Sequence, residues 1–398
     1  MSLGIALRFL SPSLTDGGSC PSRLQISTEV GDTELSPVVL RYSSTQGQLE
    51  QVDDLKMYYS HPNRSVIHDG DKSFSRVIML GGFNEPQLAV LNLHGYDVFR
   101  LETTYDEAGR VRRQVTTIGN NESQLGVNYT ADGRLAAVHG DETWSFDYDA
   151  GGNVRRVTER GAAVERQYDE ADRVTRLGDG AVEYDENGFV TSAAGRRMTY
   201  DASGRLTHVV DSAGRQVGYM YDWQGRLAAR RSSDGQLVQY LYADPQHPRR
   251  LSHAHRPLQG RTDAYLYCHR GLLVALQTAG QRHYVATDTR GTPLALFNSH
   301  RSVVKEVRRD PWGRVIRDTN TALPLDVGLL GWVRDPELDL LWDPAGRVYE
   351  PRLQQYLTPG WEQALRRLHE PDALHLYRFM DNDPVNGAAA HRPPPTGL

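Results

Sequence analysis

The chain has 398 residues, of which 37 are Gly and 20 are Pro, with 39% hydrophobic and 24% charged residues. These proportions are those of an ordinary globular protein and exclude a disordered, collagen-like or membrane-embedded chain. The formal net charge of −5 excludes a strongly basic surface for nucleic acid or anionic membrane as the leading interpretation. The aromatic residues comprise 20 Tyr, 8 Phe and 6 Trp, so the surplus of Gly and Tyr is the feature to explain.

The start of the chain predicts neither a signal peptide nor a membrane span, because Arg8 interrupts its apolar residues. The longest apolar stretch, 77–93, is broken by a Gly pair and by Pro86, so it cannot cross a bilayer. We therefore expect a poorly ordered segment at residues 1–19. Residues 20–100 have the alternation of short strands without a recurring motif, and we expect them to form upstream strands of the fold.

The cysteines and histidines do not predict a metal or redox site. Cys20 and Cys268 fit no zinc or redox spacing. They can close one disulfide, but two buried thiols are the favoured interpretation. One stretch contains several histidines without a thiol or carboxylate at ligand spacing, namely His247, His253, His255 and His269. Because this stretch follows Pro245 and Pro248, we predict a solvated loop there.

Acidic pairs near the start of the chain do not predict a calcium site either. Asp53-Asp54 and Asp69-Gly70-Asp71 lack the spacing and the closing Glu of a calcium loop, so surface turns are favoured. We expect the protein to contain no metal and no other cofactor.

From residue 101 onward a motif recurs in which Tyr-Asp is followed by a turn, a small residue, Arg and an aliphatic residue. Six copies are defined by their Tyr-Asp pairs: Tyr105-Asp106, Tyr148-Asp149, Tyr168-Asp169, Tyr184-Asp185, Tyr200-Asp201 and Tyr221-Asp222. A degenerate copy begins at Tyr129, and the tyrosines then follow one another at intervals of 16 to 24 residues. That interval is the length of one hairpin with its connection.

Each copy predicts a strand that ends in a tight turn. In Trp144–Tyr148 aromatic residues alternate with Ser145 and Asp147, as in a half-buried strand. The Asp of each pair can accept hydrogen bonds from the backbone that follows it, and the Gly four residues after the Tyr permits a positive φ. We expect the next Arg to face outward and the aliphatic residue inward. The motif therefore predicts turn formation and core packing, and no catalytic residue.

A single hairpin cannot bury its own face, so successive hairpins must stack edge to edge into a spiral. The predicted fold is all-β, with the repeats at 101–300, a closing module at 301–386 and a disordered tail at 387–398. A spiral that begins near residue 20 has an unpaired strand edge, so we expect this chain to aggregate or to depend on further chain.

These features resemble the YD repeats shared by bacterial Rhs proteins and animal teneurins. Tyr284–Asp288 and Gly291–Phe297 resemble the teneurin segment that leads into the Rhs-type closing module, and Asn382-Asp383-Pro384 resembles the end of that module. Three further stretches look like teneurin sequence: Tyr242–Asp244, Pro248–His253 and Arg173–Gly178. The resemblance covers residues 20 to about 386. It implies a spiralling YD-repeat β-shell of the Rhs/teneurin type with a short C-terminal helix.

The resemblance also implies a function in cell–cell adhesion and recognition rather than catalysis. In teneurins the shell lies on the extracellular side of a single-pass membrane protein that acts in neuronal partner recognition. The partners it implies are proteins, namely other teneurins and adhesion receptors of the latrophilin type, together with a homodimer of the full-length protein. It implies no nucleic-acid partner.

Two alternative functions are open. Rhs relatives cleave themselves with aspartates in an Asp-Pro-x-Gly motif, so the chain can be a toxin-enclosing cocoon with aspartyl self-cleavage. Asp343–Gly346 fits that pattern, whereas Asp335-Pro336 and Asp383-Pro384 fit it only in part. Because Asp-Pro also begins type I turns, we favour turns at these positions. A carbohydrate-binding shell would need aromatic side chains on the solvent face, whereas those of 144–148 alternate toward a core.

Three Asn-x-Ser/Thr sequons are candidate glycosylation sites: Asn63, Asn121 and Asn128. Asn121 follows Gly119-Asn120 in a turn-like run and is the best of the three. Their use would require a secreted context.

A short helix is predicted from Thr358 to Leu368. Thr358 would cap it, Pro359 suits its first turn, and Trp361, Leu365 and Leu368 would share a buried face. In the family that the sequence resembles, this segment closes the shell.

Overall fold

The structure is a computed structural model that describes residues 5–10, 23–30, 33–42, 49–52, 55–61, 64–69, 72–81, 85–244, 247–268, 270–366 and 375–387. Cys20, Asn63, His269, the acidic pair at 53–54 and all of the predicted tail except Gly387 lie outside these ranges. Cys268 is a buried free thiol. Within the described residues, no helix is long and apolar enough to cross a membrane.

The described residues are almost entirely β-structure, which confirms the predicted fold class. The first strands precede the repeats: β1 Ile5–Leu10, β2 Arg23–Val30, β3 Thr33–Tyr42, β4 Leu49–Val52, β5 Leu55–His61, β6 Arg64–Asp69, β7 Lys72–Leu80 and β8 Pro86–Leu93. The strands of the repeats follow: β9 Tyr96–Tyr105, β10 Val111–Ile118, β11 Asn121–Tyr129, β12 Leu135–His139, β13 Trp144–Tyr148, β14 Val154–Glu159, β15 Ala162–Tyr168, β16 Val174–Leu177, β17 Gly180–Ala181, β18 Glu183–Tyr184, β19 Val190–Ala193, β20 Arg196–Tyr200, β21 Leu206–Asp211, β22 Gln216–Tyr221 and β23 Leu227–Ser232.

The remaining strands belong to the end of the shell and to a small inner sheet. They are β24 Leu237–Leu241, β25 His253–Arg256, β26 Arg261–Tyr267, β27 Leu273–Thr278, β28 Gln281–Thr287, β29 Pro293–Phe297, β30 Val303–Arg309, β31 Val315–Asp318, β32 Val333–Arg334, β33 Leu341–Trp342, β34 Val348–Glu350 and β35 Gln355–Tyr356. Short 3-10 turns occupy Pro257–Gln259, Leu329–Gly331 and Met380–Asn382, and one α-helix, α1, spans Trp361–Arg366.

The shell is one antiparallel meander of sequential hairpins, as predicted. Each strand from β1 to β17, and again from β18 to β31, pairs with the next strand in the chain. The N–H of Val182 donates to the carbonyl of Thr175 at 2.9 Å and continues the ladder between the two sheets. Among the described residues β1 pairs only with β2, so the aggregation expected from an unpaired edge stays a prediction.

A β-bulge at every repeat bends the sheet. Tyr148 faces Val154 across the turn, but Asp147 faces Arg156, so one residue of β14 has no partner in β13. The same register shift occurs at every repeat tyrosine, namely Tyr105, Tyr129, Tyr148, Tyr168, Tyr184, Tyr200 and Tyr221. Because a bulge increases the local right-handed twist, its regular recurrence accounts for a sheet that spirals.

The closing module packs against the inner face of this spiral. One core cluster joins the aliphatic repeat residues Val190, Leu206 and Leu227 to Trp342 and Leu357 of the module. A second cluster joins strands β10–β14 to the module, with Trp144 and Phe146 beside Trp312 and Phe379. The alternating strand pattern of 144–148 is confirmed, since Trp144 and Phe146 are buried, Tyr148 is half-buried, and Ser145 and Asp147 are exposed.

Strands β26–β29 are covered on both faces. Along β28, Val285 packs in the cluster that contains the closing module, whereas its neighbours Tyr284 and Ala286 pack in another cluster with Phe74 and Phe99. The ring centroids of Phe74 and Tyr284 are 4.8 Å apart. The early strands therefore pack on the face of the shell opposite to the closing module.

The predicted solvated loop is confirmed at His247, which lies in an exposed turn, but it is wrong for His253 and His255. His253 and His255 lie in β25, where they are 2% and 8% exposed. The strand is buried because it pairs between β24 and β26, with Tyr240 beside Ala254 on one side. Burial lowers the pKa of His253 to about 4.

Helix α1 is present within the predicted range, but two residues of its predicted buried face are exposed, and the third, Leu368, lies outside the described residues. Trp361 and Leu365 are 60% and 67% exposed, whereas Ala364 is buried. The N–H of Gly360, directly before the helix, donates to the carbonyl of Leu376 at 2.8 Å.

Candidate functional site: the YD turns and the closing strip

Each repeat turn is organised by its aspartate. At Asp201, Oδ1 accepts the backbone N–H groups of Ser203 and Arg205 at 2.9 and 3.0 Å, and Oδ2 accepts Nε of Arg205 at 2.7 Å. Burial would raise the pKa of Asp201, but the bonds from Arg205 and Ser203 outweigh it and lower that pKa. The same three bonds recur at Asp106, Asp169 and Asp222. Asp185 and Asp149 make the backbone bonds without an arginine.

The glycine of the turn has the left-handed conformation that we predicted. Gly204 has a φ of +77°, and a Cβ at this position would lie 2.8 Å from the ring of Phe189. The turn at 169–172 has Asp172 in this position, with a φ of 57°. Asn and Asp tolerate this conformation better than other residues with a Cβ.

The tyrosine of each repeat links it to the preceding repeat. The hydroxyl of Tyr200 donates to the carbonyl of Val190, the aliphatic residue of the previous copy, at 2.7 Å. The same bond, at 2.7 to 3.0 Å, is made by Tyr129, Tyr148, Tyr168, Tyr184, Tyr221 and Tyr242. Tyr105 donates instead to Pro86, and its burial raises its pKa to about 12. Sequence reasoning missed this ladder of bonds, because the bonded Tyr and aliphatic residue lie in different repeats and are separated by 10 to 18 residues.

The repeat arginines do not simply face outward, which corrects our expectation. The guanidinium of Arg205 lies 5.3 Å from the ring centroid of Tyr221 in the next repeat. Equivalent contacts join Arg110 to Tyr129, Arg134 to Tyr148, Arg173 to Tyr184 and Arg226 to Tyr242. Where Phe189 replaces the arginine, its ring packs on Tyr200 at 5.2 Å. The side chain at this position therefore covers the next tyrosine.

The end of the described chain crosses these turns. We call residues 375–387 the closing strip. Tyr377 donates its hydroxyl to the carbonyl of Gly188 at 2.7 Å, and Asn382 donates Nδ2 to the carbonyl of Gly152 at 2.8 Å. Farther along, Oδ1 of Asn386 accepts the N–H of Val111 at 2.8 Å. The strip thus binds backbone groups of three different repeats.

One repeat has Asn in place of the arginine, and the closing strip fits against it. Nδ2 of Asn153 donates to Asp172 at 2.7 Å and to Asp149 at 3.3 Å, so the amide bridges two carboxylates. Arg378 of the strip donates to the carbonyl of Gly151 at 3.2 Å. A cation from the strip therefore reaches the one turn in this row whose own cation is replaced by Asn.

Arginines on the inner face of the shell hold the rest of the closing module. Nε of Arg230 lies 2.9 Å from Oδ2 of Asp335, and Nη2 of Arg256 lies 2.5 Å from Oδ2 of Asp326. Arg196 pairs with Glu350, and all of these side chains are less than 9% exposed. Arginine side chains therefore line the interior of the shell as well as the repeat turns.

The Asp-Pro-x-Gly motif forms turns of the repeat type, as favoured above. Oδ1 of Asp343 accepts the N–H groups of Ala345 and Arg347 at 2.8 and 2.9 Å. A second copy that sequence reasoning missed, Asp310–Gly313, makes the same bonds, and burial raises the pKa of Asp310 to about 6. Asp335 also begins a turn, since its Oδ1 accepts the N–H of Glu337 at 2.8 Å, and its Oδ2 pairs with Arg230. No group of His, Cys, Asp and Glu in the described ranges could hold a metal ion.

A cavity of about 510 Å³ lies beside the closing strip. Leu101, Val111 and Trp144 contribute to its walls. Two carboxylates that border it are engaged in their own turns, since Asp288 accepts the N–H of Thr292 at 2.8 Å and Asp310 accepts the bonds described above. These acids hold turns rather than forming a pair that could share a proton.

Two of the three candidate glycosylation sites are described, and both are exposed. Asn121 begins β11 directly after the turn at Gly119-Asn120. Asn128 lies near the end of the same strand, where its Nδ2 is 3.2 Å from Nε2 of His139. The use of these sites stays a prediction.

Known proteins are similar to this chain in sequence and in fold. A family model described as Teneurin YD-shell matches residues 23–385. Teneurin-m of Drosophila melanogaster is 36% identical over 372 residues, which are 93% of this chain and 14% of that protein. Teneurin-3 of Mus musculus is 32% identical over 371 residues, 90% of this chain and 13% of that protein. The chain therefore spans a small part of the length of the relatives that it matches.

Solved structures of bacterial toxins share the fold. A structure of the Photorhabdus luminescens Tc holotoxin pore matches with a TM-score of 0.65 and 15% identity, over 91% of this chain and 19% of that chain. A structure of TcdB2-TccC3 without its hypervariable C-terminal region matches with a TM-score of 0.62 and 13% identity, over 92% of this chain and 23% of that chain. At these identities the likeness concerns the fold alone. The family match across nearly the whole chain and the identity to two teneurins go further, and the chain belongs to the teneurin YD-shell family.

Proposed function

We propose that the chain is the C-terminal shell region of a non-enzymatic adhesion protein that recognises protein partners on the extracellular side of a cell membrane. The observation that carries this proposal is the Teneurin YD-shell match over residues 23–385. Because the chain corresponds to 14% of Teneurin-m, the activity belongs to a larger protein in which this shell is one part.

The contacts of the repeats support a non-enzymatic role. The carboxylate of Asp201 and the hydroxyl of Tyr200 are both occupied by bonds that fix the turn and the ladder. A general acid or base must instead reach its substrate. The buried carboxylate of Asp335 is paired with Arg230, which further disfavours self-cleavage by a pair of aspartates that share a proton.

The partners that we propose are other teneurins and adhesion receptors of the latrophilin type. Exposed aromatic and aliphatic side chains offer contact points for a protein, since large aromatic side chains dominate the energetics of interfaces. Trp223 stands at the tip of a repeat turn and is 88% exposed. Trp361 and Leu365 stand one turn apart on α1, at 60% and 67% exposure.

The test uses the full-length protein that contains this chain, displayed on cells. We expect these cells to aggregate with cells that display either a second copy or a latrophilin-type receptor. Trp223→Ser, and separately Trp361→Ser with Leu365→Ser, should reduce aggregation at an unchanged surface level. Leu258→Ser is a matched control, because Leu258 is 67% exposed on a different element. Failure to aggregate with both kinds of cell would contradict the proposed partners.

The non-enzymatic part of the proposal has its own test. Purified protein incubated without protease should remain a single intact band. A fragment that ends at or near Asp343 or Asp383 would favour the alternative of a self-cleaving cocoon.

A further inference from the structure

Two Asn-Gly pairs occur in the sequence, Asn187-Gly188 and Asn386-Gly387. Both are exceptional chemically, because a glycine after asparagine has no side chain to hinder attack of its backbone nitrogen on the asparagine amide. The structure treats the two asparagines differently. Asn187 stands exposed in the fourth complete repeat turn, and no described residue bonds its side chain. Asn386 is tied into the closing strip.

We propose that Asn187 is a site of spontaneous deamidation and isoaspartate formation, and that the fold protects Asn386 from the same reaction. The backbone nitrogen of Gly188 loses its proton and attacks Cγ of Asn187, and the side-chain amide leaves as ammonia. The product is a five-membered succinimide. One water molecule then opens the ring at either carbonyl and leaves aspartate or isoaspartate at position 187.

Three hydrogen bonds protect Asn386. Its Nδ2 donates to the hydroxyl of Tyr129 and to Oδ2 of Asp383, each at 2.7 Å, and its Oδ1 accepts the N–H of Val111 at 2.8 Å. The amide must leave all three partners before Cγ can turn toward the nitrogen of Gly387. At Asn187 no such side-chain bonds have to break, and the attack requires the turn to open at the bond from the N–H of Gly188 to the carbonyl of Asp185, which is 3.0 Å long.

The chain also provides a matched turn in which the reaction is disfavoured. Gln224 occupies the position of Asn187 in the turn at 222–225, where Asp222 accepts its N–H at 2.9 Å, just as Asp185 accepts that of Asn187 at 3.0 Å. Glutamine has one more methylene, so the attack by Gly225 would have to close a six-membered ring. The two turns therefore share their geometry and differ in the length of the side chain at the position of Asn187 and Gln224.

Conversion of Asn187 to isoaspartate would disturb a contact of the closing strip. The carbonyl of Gly188 accepts the hydroxyl of Tyr377 at 2.7 Å, and a Cβ on Gly188 would lie 2.5 Å from that oxygen. Isoaspartate routes the main chain through the former side chain and lengthens the turn by one methylene. The longer turn displaces the Gly188 carbonyl and loosens the Tyr377 anchor.

The test incubates the full chain in mildly alkaline buffer and follows the sites by tryptic peptide mass spectrometry and an isoaspartate assay. Trypsin places Asn187, Gln224 and Asn386 on separate peptides, because arginines flank each of them. We expect Asn187 to convert at least about tenfold faster than Asn386, since loss of three hydrogen bonds must precede reaction at the latter. In denaturant this difference between the two asparagines should disappear.

Equal conversion of Asn187 and Asn386 in the folded chain would overturn the proposal, and so would an unreactive Asn187. Asn187→Gln should abolish the isoaspartate without loss of thermal stability, as Gln224 occupies the same kind of turn. Limited proteolysis then tests the consequence. Isoaspartate-containing protein should be cut sooner in the closing strip than Asn187→Asp, which has the new charge without the longer backbone. Identical cutting would refute the loosening of Tyr377.

Discussion

Arg230 and Asp335 are separated by 105 residues, and Nε of the arginine lies 2.9 Å from Oδ2 of the aspartate. The side chains are 3% and 0% exposed, and the same carboxylate oxygen accepts the hydroxyl of Tyr219 at 2.5 Å. The arginine projects from a repeat strand and the aspartate belongs to the closing module. The pair therefore fixes the module inside the shell at one point.

We predict that Arg230→Met destabilises the protein by about 3 to 5 kcal/mol, because it leaves a buried carboxylate without its cation. Denaturant titration followed by tryptophan fluorescence measures this change. Arg215→Met is the matched control, since Arg215 pairs with Asp211 while 65% exposed. Such a pair contributes little to the free energy of unfolding, and an equal loss in both variants would refute the role of burial.

The hydroxyl ladder supplies a second prediction. Tyr200→Phe removes one donor to the carbonyl of Val190 while keeping the ring, and we expect a loss of about 1 kcal/mol in the free energy of unfolding. Tyr96→Phe is the control, because Tyr96 is 62% exposed and lies outside the repeat motif. In thermal and denaturant unfolding, Tyr200→Phe should therefore lose more stability than Tyr96→Phe. A stability loss at Tyr96 as large as that at Tyr200 would contradict the ladder.

Local chemistry explains why the turns could be predicted from sequence. The Asp of each pair acts on backbone groups two and four residues away, so the bonds of Asp201 to Ser203 and Arg205 follow from spacing alone. The contact of Tyr200 with Val190 involves two repeats and depends on the stagger of the sheet. One sequence without related sequences does not specify that stagger.

Predictions that concerned long-range packing succeeded least. His253 stands near prolines, which indicates a loop, yet pairing of β25 with both neighbours buries it. The spacing of Trp361 and Leu365 indicates a buried face, but both side chains are exposed and Ala364 is buried instead. Arg230 gave no signal in the sequence, because its partner Asp335 lies in the distant closing module.

Glycosylation gives a third prediction, which distinguishes two sites on one strand. When the chain is secreted from a eukaryotic cell, Asn121 should bear a glycan, because it is exposed directly after a turn. Asn128 should be modified less, since its amide contacts His139 on the neighbouring strand β12. Asn121→Gln should remove most of the glycan detected by glycosidase treatment and electrophoresis, and Asn128→Gln little. The reverse order would contradict the prediction.

Acid sensitivity gives the last prediction. Burial lowers the pKa of His253 from 6.5 to about 4, so the folded state takes up this proton only near pH 4 while the unfolded state takes it up near pH 6.5. The contribution of His253 to the free energy of unfolding is therefore complete above pH 6.5. It is lost as the pH falls toward 4, by about 3 kcal/mol. Burial also lowers the pKa of His255 and His283, which act in the same direction.

Asp310 is one of four described carboxyls whose pKa is raised by burial and which oppose this loss, the others being Asp263, Asp343 and Glu350. Burial raises the pKa of Asp310 from 3.8 to about 6, so the folded state binds a proton at Asp310 before the unfolded state does. Stability from this group increases as the pH falls from 6 to 3.8. His253→Leu isolates the histidine, because these carboxyls remain in both proteins. Denaturant titrations across this pH range should show a smaller acid loss in the variant by about 3 kcal/mol, whereas His208→Leu, at an exposed position, should keep the wild-type slope. A variant as acid-sensitive as the wild type would show that His253 titrates normally in the fold.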